Sequence, residues 1–203
     1  SKAYAGDRAD EIRRGVKATV PRMNVGDRES TNTTHVSVAD AHGNCVALTH
    51  SLGMPSGVVT GGLGFMYNGC MAVFDPRPGN PGSIVPGKAR FSAMCPTIIF
   101  KDDKPFLVIG APGGTYITMG VLQAILNVID FDMTAQEAVA APRFCTTSDV
   151  IDATNRILRS TERDLVAMGY EVRRNPRSYN FAGVHGIRNV GGNWDGGADP
   201  ARD

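Results

Sequence analysis

The residues with the clearest chemical potential form a run of small polar side chains, Thr31-Asn32-Thr33-Thr34-His35, just ahead of two apolar segments. A hydroxyl residue at the start of a buried strand becomes a nucleophile if the peptide bond before it is cut. Its new α-amine can then act as the general base for its own hydroxyl. A Thr-Thr pair taken alone is more typical of a polar loop that leads into a strand. The choice depends on what the rest of the chain places near Thr33.

A second candidate group is the glycine pair Gly113 and Gly114, which follows Gly110-Ala111-Pro112 at a predicted strand-to-helix junction. Adjacent glycines leave backbone N–H groups unshielded at the positive end of a helix, where they can stabilise an oxyanion. A phosphate loop is disfavoured because no Lys-Ser/Thr follows and the G-x-G-x-x-G order is missing. A tight turn and an oxyanion hole both remain open.

Further hydroxyl groups stand where they could assist a nucleophile. Thr49-His50-Ser51 ends the second apolar segment, and in a hairpin of this length these residues fall opposite Thr33 and Thr34. The segment taken alone is equally typical of a polar strand end. Ser92 precedes another predicted strand and could contact a substrate. His35 is disfavoured as a catalytic base because no carboxylate partner is placed by the sequence.

Composition excludes several classes of function. The four His residues and four Cys residues show neither metal-ligand spacing nor a C-x-x-C pair, so we expect no metal and no cofactor. The formal charge of +1 comes with scattered Lys and Arg, which argues against a nucleic-acid partner. The longest apolar stretch, residues 116–129, is too short and too polar to cross a bilayer. Cytoplasm and periplasm both remain open as the compartment.

The elements that must position these groups begin at residue 33. Residues 3–14 predict a charged helix and residues 23–32 a polar linker, both outside the main core. The later segments predict two strand pairs (34–39 with 45–52, and 96–100 with 105–109), a buried helix (115–129), a helix capped by Thr134, a helix over 159–168, and strands at 170–172, 181–190 and 193–198. Partly grouped strands and helices in a chain of 203 residues predict a single α+β layered sandwich.

Taken together, these segments resemble the γ-glutamyltransferase family of N-terminal nucleophile hydrolases. The matches occur in order along essentially the whole chain: residues 33–40, 43–44, Asn68, 86–88, 94–97, 112–114, 141–144 and 197–200.

The resemblance implies a four-layer αββα sandwich, made as a precursor that cuts its own Asn32–Thr33 bond. Residues 1–32 would be the C-terminal tail of the large-subunit region with the processing linker, and residues 33–203 the small catalytic subunit. Thr33 would be the nucleophile, Ser51 the hydroxyl that assists it, and the Gly113 and Gly114 amides the oxyanion hole. The implied partners are a large subunit from the same precursor and a small-molecule amide, and a homodimer of such heterodimers is possible.

The resemblance also identifies departures at the positions that contact the substrate. Gly53 stands where the family has Asn, Cys70 where it has Gln, and Val73 where it has Asp; Ala93 replaces the second Ser of a pair whose first member, Ser92, is kept. The set of implied substrate-binding residues is Thr49, Gly53, Asn68, Cys70, Ser92 and Ala93. Because an ammonium group without an anionic partner is costly to desolvate, we expect an amide substrate other than a γ-glutamyl compound. Recognition of a substrate carboxylate stays open, because the resemblance implies that the arginine for it lies in the large subunit. The alternatives are a true γ-glutamyl transferase or glutathione hydrolase, and an inactive binding or structural homologue.

Overall fold

A computed structural model describes residues 1–16, 33–146, 149–177 and 181–201 of the chain. These residues form four α-helices: α1 (Lys2–Arg13), α2 (Ile117–Ile129), α3 (Ala135–Ala140) and α4 (Arg159–Ala167). They also form eleven strands: β1 (Thr33–Ala39), β2 (Cys45–Ser51), β3 (Pro55–Val59), β4 (Met66–Asn68), β5 (Thr97–Lys101), β6 (Lys104–Gly110), β7 (Phe144–Cys145), β8 (Val150–Thr154), β9 (Glu171–Asn175), β10 (His185–Val190) and β11 (Asn193–Ala198). The predicted α+β class is confirmed at the level of mixed helix and sheet.

The core lies between a four-stranded antiparallel sheet and the helices behind it. The sheet has the order β11-β10-β6-β5, and its central strand β6 carries Leu107, Val108 and Ile109, each no more than 1% exposed. Helix α2 packs on the sheet through residues at helical spacing: Ile117, Val121, Ala124 and Val128. The predicted burial of this helix is thus found on the side that faces the sheet, whereas Leu122, Leu126 and Ile129 on the opposite side are 41–51% exposed.

A separate two-stranded sheet, β1 with β2, packs on the other face of the four-stranded sheet. Its register pairs Thr33 with Ser51 and Ala39 with Cys45, which confirms the predicted hairpin. Strand side chains alternate between faces, and here the inward face is mainly polar while the outward face is apolar. Strand β2 is thus half-buried on its inward face, while Val46 and Leu48 on the outward face are each 53% exposed.

The Gly-rich passage after β2 contains a strand pair that the sequence did not predict. Strands β3 and β4 form an antiparallel hairpin whose register shifts between Pro55 and Val59. Beyond it, β7, β8 and β9 make a third sheet, with α4 packed beside β9. Strand β8 was also not predicted, because it contains a buried carboxylate, Asp152, which accepts a hydrogen bond of 2.6 Å from Arg173 on β9.

Helix α1 lies outside the core, as predicted. The Ser1 hydroxyl caps its first turn by accepting from the Tyr4 amide, and the helix buries none of its residues.

Asn32, and with it the predicted cleavage bond, falls in residues 17–32, outside the described part of the chain. In the described ranges no helix has the length and apolar character needed to cross a membrane.

Candidate active site

Thr33 and Ser51 meet at the open end of the β1–β2 hairpin. Because the two residues are register partners on the inward face, their hydroxyl oxygens lie 2.8 Å apart. The Gly53 amide donates to Ser51 Oγ at 2.9 Å. That donation occupies one lone pair of Ser51 and leaves its hydroxyl hydrogen available for Thr33 Oγ1. The site thus contains a hydroxyl pair whose second member is held in place by backbone.

The loop after Ser51 is fixed by contacts with the segment around Cys70. Gly69 donates its amide to the carbonyl oxygens of Leu52 and Met54, at 3.0 and 2.6 Å. The Cys70 thiol lies 3.7 Å from the Leu52 carbonyl oxygen, and the Cys70 amide donates to Asn68 Oδ1 at 3.1 Å. Two predicted substrate-binding residues, Asn68 and Cys70, are thereby brought to the loop that follows the hydroxyl pair.

His35 is buried between the two sheets, two residues after Thr33 on the same face of β1. Its Nδ1 lies 2.8 Å from Thr49 Oγ1 and its Nε2 lies 3.0 Å from Ser37 Oγ. Burial, together with the charge of nearby His185, lowers the pKa of His35 to about 4. The imidazole is therefore neutral at pH 7. Thr49, predicted to bind substrate, has its hydroxyl at the His35 ring; its role towards substrate stays a prediction.

The His35 ring also joins the start of β1 to the end of β6. A Cβ added at Gly110, the last residue of β6, would lie 2.3–2.8 Å from three atoms of that ring. Gly110 therefore has to be glycine for the two sheets to approach this closely. The contact anchors the strand that begins with Thr33 to the strand that leads into Gly113.

Gly113 and Gly114 form the turn between β6 and α2. Gly113 is buried with a φ of 135°, and a Cβ there would lie 2.5 Å from the Ala182 Cα. Gly114, with a φ of 56°, begins a short 3-10 turn that continues into α2. Both positions require glycine, because L side chains rarely adopt such φ values. Within the described ranges neither amide N–H donates to a protein acceptor, and their role as an oxyanion hole stays a prediction.

Ser92 and Ala93 lie near the same turn but make backbone contacts. The Ala93 carbonyl accepts from Thr118 Oγ1 in the first turn of α2, at 3.3 Å. Ser92 is exposed, and its hydroxyl accepts from the Met94 amide at 3.3 Å. The structure thus sets Ala93 beside the first turn of α2. It gives Ser92 no contact with Thr33.

No cluster of three or more His, Cys, Asp or Glu side chains that could hold a metal ion occurs among the described residues. The four cysteines are free thiols. Burial raises the pKa of Cys145 to about 11 and, to a lesser extent, that of Cys95. These two thiols are therefore poor nucleophiles at neutral pH.

Comparisons with known proteins give a family match over the whole chain. The family model described as "Gamma-glutamyltranspeptidase" matches residues 1–203. The Acylase ACY 1 proenzyme of Pseudomonas sp. (strain V22) is 41% identical over 179 residues, which make up 87% of this chain and 32% of that protein. The chain thus spans about a third of the length of the curated relatives it matches.

Two solved structures share the fold over different extents. The Helicobacter pylori Gamma-Glutamyltranspeptidase T380A Mutant matches with a TM-score of 0.74 and 35% identity, over 83% of this chain and 100% of that chain. Cephalosporin acylase from Bacillus halodurans matches with a TM-score of 0.84 and 26% identity, over 100% of this chain and 37% of that chain. The predicted family is confirmed by these matches.

Proposed function

Because the chain belongs to the gamma-glutamyltranspeptidase family, we propose that it is the catalytic part of an autoprocessed amidohydrolase with Thr33 as its N-terminal nucleophile. The observation that carries this proposal is the 2.8 Å contact between Thr33 Oγ1 and Ser51 Oγ. The contact involves the residue that would become the new N-terminus. A nucleophilic hydroxyl needs a hydrogen-bond partner of this kind, whereas the hydroxyl of a threonine in a loop does not.

Maturation would use the same hydroxyl as catalysis. Thr33 Oγ1 attacks the carbonyl carbon of Asn32, the C–N bond breaks, and the acyl group moves from nitrogen to oxygen. Water then hydrolyses the resulting ester, which leaves a carboxylate on Asn32 and a free α-amine on Thr33. The Ser51 hydroxyl, held by the Gly53 amide at 2.9 Å, orients the attacking oxygen.

Amide hydrolysis would repeat this chemistry on a substrate. The free α-amine takes the Thr33 hydroxyl proton as Oγ1 attacks the amide carbon, and the Gly113 and Gly114 amides stabilise the oxyanion. The proton passes to the leaving amine as the C–N bond breaks. Water then attacks the acyl-enzyme ester, again through an oxyanion, and releases the acid. Pre-positioned backbone N–H donors suit this task because they need no reorganisation as charge develops.

The proposed boundary at Thr33 is supported by the extent of the structural match. Residues 33–203 number 171 of the 203 in the chain. The separate Helicobacter pylori chain is matched completely by 83% of this chain, a share close to that of residues 33–203. We therefore divide the chain into residues 1–32, the tail and linker of a large subunit, and residues 33–203, the catalytic subunit.

The outward face of the β1–β2 hairpin supports the proposal of a partner that would complete a four-layer αββα sandwich. Its outward face consists of apolar side chains that are 46–53% exposed: Val36, Val38, Val46 and Leu48. The described residues supply three layers: this hairpin, the four-stranded sheet, and helices α2 and α3. We infer that a large subunit from the same precursor covers the hairpin with the fourth, helical layer. A homodimer of the resulting heterodimers is part of the same hypothesis.

The substrate is proposed to be a small-molecule amide without a γ-glutamyl head group. By the resemblance described above, Gly53, Cys70 and Val73 stand where the family has the amide and carboxyl side chains for that head group. A relative at 41% identity carries the name acylase, which is consistent with this choice. A true γ-glutamyl transferase remains the second candidate, because the Helicobacter pylori neighbour is a gamma-glutamyltranspeptidase.

The proposal is tested by expressing the full-length precursor and following its maturation. Denaturing electrophoresis and N-terminal sequencing should reveal a fragment that begins Thr33-Thr34-His35, and the matured protein should hydrolyse simple acyl anilides. Thr33→Ala should abolish both reactions. A chain that stays intact would support the inactive homologue instead. A chain that matures but forms no acyl-enzyme with any amide would overturn the proposed activity.

A further inference from the structure

The nucleophile is followed by a long segment without charged side chains. Between Asp40 and Asp75 the sequence contains no Asp, Glu, Lys or Arg, although such residues make up 20% of the whole chain. The two flanking carboxylates are already engaged: Asp40 accepts from Asn44, and Asp75 accepts two hydrogen bonds from the Arg77 guanidinium at 2.9 Å. The surface beside the hydroxyl pair therefore offers no free charge from this segment.

Short contacts connect this segment directly to the hydroxyl pair. Thr33 Oγ1 contacts Ser51 Oγ, which accepts from the Gly53 amide, and the position of a Cβ on Gly53 would lie 3.0 Å from Cys70 Sγ. The path from the nucleophilic oxygen to the thiol is therefore no longer than about 12 Å. Cys70 is half-buried, and its neighbours Met71 and Val73 are 63% and 43% exposed.

We propose that this charge-free surface receives the acyl group of the substrate, that the acyl group is uncharged, and that Gly53 and Cys70 determine this specificity. The inference rests on the proposed amidohydrolase function and names its substrate class: amides of short aliphatic or aromatic acids. A charged acyl group would be partly desolvated here without an opposite charge from the segment, whereas an apolar group would contact sulfur and hydrocarbon.

Gly53 and Cys70 act as a size-matched pair. Gly53 has a φ of 66°, and any side chain there would press against the thiol at a distance that real Cβ atoms rarely reach. The absence of a side chain at residue 53 therefore makes room for the thiol, and the thiol in turn fills that room with an apolar atom. A side chain at residue 53 would displace the thiol, so the two residues set the character of the surface together.

The test uses the processed enzyme obtained from its full-length precursor and p-nitroanilides that differ in the acyl group alone. Butyryl and hexanoyl anilides are uncharged, glutaryl anilide carries a carboxylate, and γ-glutamyl anilide carries a carboxylate and an ammonium group. We expect kcat/KM for hexanoyl anilide to exceed that for γ-glutamyl anilide by about 10- to 100-fold, with glutaryl anilide between them.

Substitution of Cys70 then locates the specificity. Cys70→Gln should raise KM for hexanoyl anilide by about 10-fold and leave kcat nearly unchanged, since it removes a binding contact and not a reacting group. Cys45→Gln is the matched control, because Cys45 is also a half-buried free thiol but lies at the far end of β2 from Ser51. Self-processing of each variant, read by electrophoresis, shows that it folds; the wild-type substrate series tests the inference even if a variant does not.

The possible outcomes distinguish failure of this inference from failure of the proposed amidohydrolase function. Preference for γ-glutamyl or glutaryl anilide overturns the inference and leaves the amidohydrolase intact. An equal effect of Cys70→Gln and Cys45→Gln on KM also overturns it. If no anilide is hydrolysed and mass spectrometry finds no acyl group on Thr33, the proposed function fails and the inference fails with it.

Discussion

Removal of the Ser51 hydroxyl is the most direct perturbation of the proposed mechanism. In Ser51→Ala, Thr33 Oγ1 loses a partner at 2.8 Å, and the Gly53 amide loses its acceptor at 2.9 Å. A hydrogen bond to an atom that carries developing charge contributes about 1.5–3 kcal/mol. At about 1.4 kcal/mol for each factor of ten, we expect the rate of amide hydrolysis to fall by about 10- to 100-fold. Self-processing should slow by a similar factor, because it uses the same oxygen.

The assay compares single-turnover acylation of the matured enzyme with the half-time of precursor cleavage on denaturing gels. Ser37→Ala is the matched control: it also removes a half-buried hydroxyl from the inward face of the hairpin, one that contacts His35 Nε2 at 3.0 Å. Ser51→Thr keeps a hydroxyl and should retain most of the activity. If Ser51→Ala acylates and matures at the rate of Ser37→Ala, the hydroxyl pair has no catalytic role and the argument from its geometry is refuted.

Three further predictions concern the packing that holds the site. Gly110→Ala should lower the free energy of unfolding by about 1–3 kcal/mol, because its Cβ would overlap the His35 ring; thermal melting against Gly196→Ala, which meets nothing within 4 Å, provides the comparison, and equal melting temperatures would contradict it. The pKa of His35 is lowered to about 4 in the folded protein, so the unfolded state binds the proton more tightly and stability should fall as the pH drops from 6.5 to 4. The loss is up to about 3 kcal/mol; urea unfolding at several pH values measures it, and His35→Gln should flatten this dependence, whereas an unchanged slope would count against it. Asp199→Asn leaves the buried Arg143 guanidinium without its carboxylate partner and should cost about 3–5 kcal/mol in urea unfolding; a loss below about 1 kcal/mol would show that the pair does not contribute in this way.

The positions of the reactive groups along the chain could be predicted better than their surroundings. Hairpin spacing predicts that residues 49–51 fall roughly opposite Thr33 and Thr34, and the structure gives the exact pairing of Thr33 with Ser51. The contact between Gly53 and Cys70 could not be predicted in the same way. It depends on closure of the loop between them around the β3–β4 hairpin, and the glycines of that passage resemble an irregular loop.

Strand β8, which the sequence also did not predict, shows a different limit. Strand β8 reads Val-Ile-Asp-Ala-Thr, and a carboxylate in its middle argues against burial when the sequence is considered alone. Asp152 is nevertheless buried, because Arg173 on the parallel neighbour β9 donates to it. The compensating charge lies far along the sequence, so only the tertiary structure accounts for the strand.

The two faces of the β1–β2 hairpin have different roles. The inward face carries the proposed reactive side chains, and the outward face carries the apolar side chains that could stabilise the hairpin. A strand has two faces, and the face that packs on the four-stranded sheet carries Thr33, His35, Ser37, Thr49 and Ser51. Hydrogen bonds among these side chains offset the cost of burying them, but they supply little hydrophobic stabilisation. The apolar side chains of the same strands therefore point outward, where only another layer can bury them. Burial of the outward face by the proposed large subunit would stabilise the hairpin, so we expect the conformation of Thr33 to depend on this proposed partner at Val36 and Leu48.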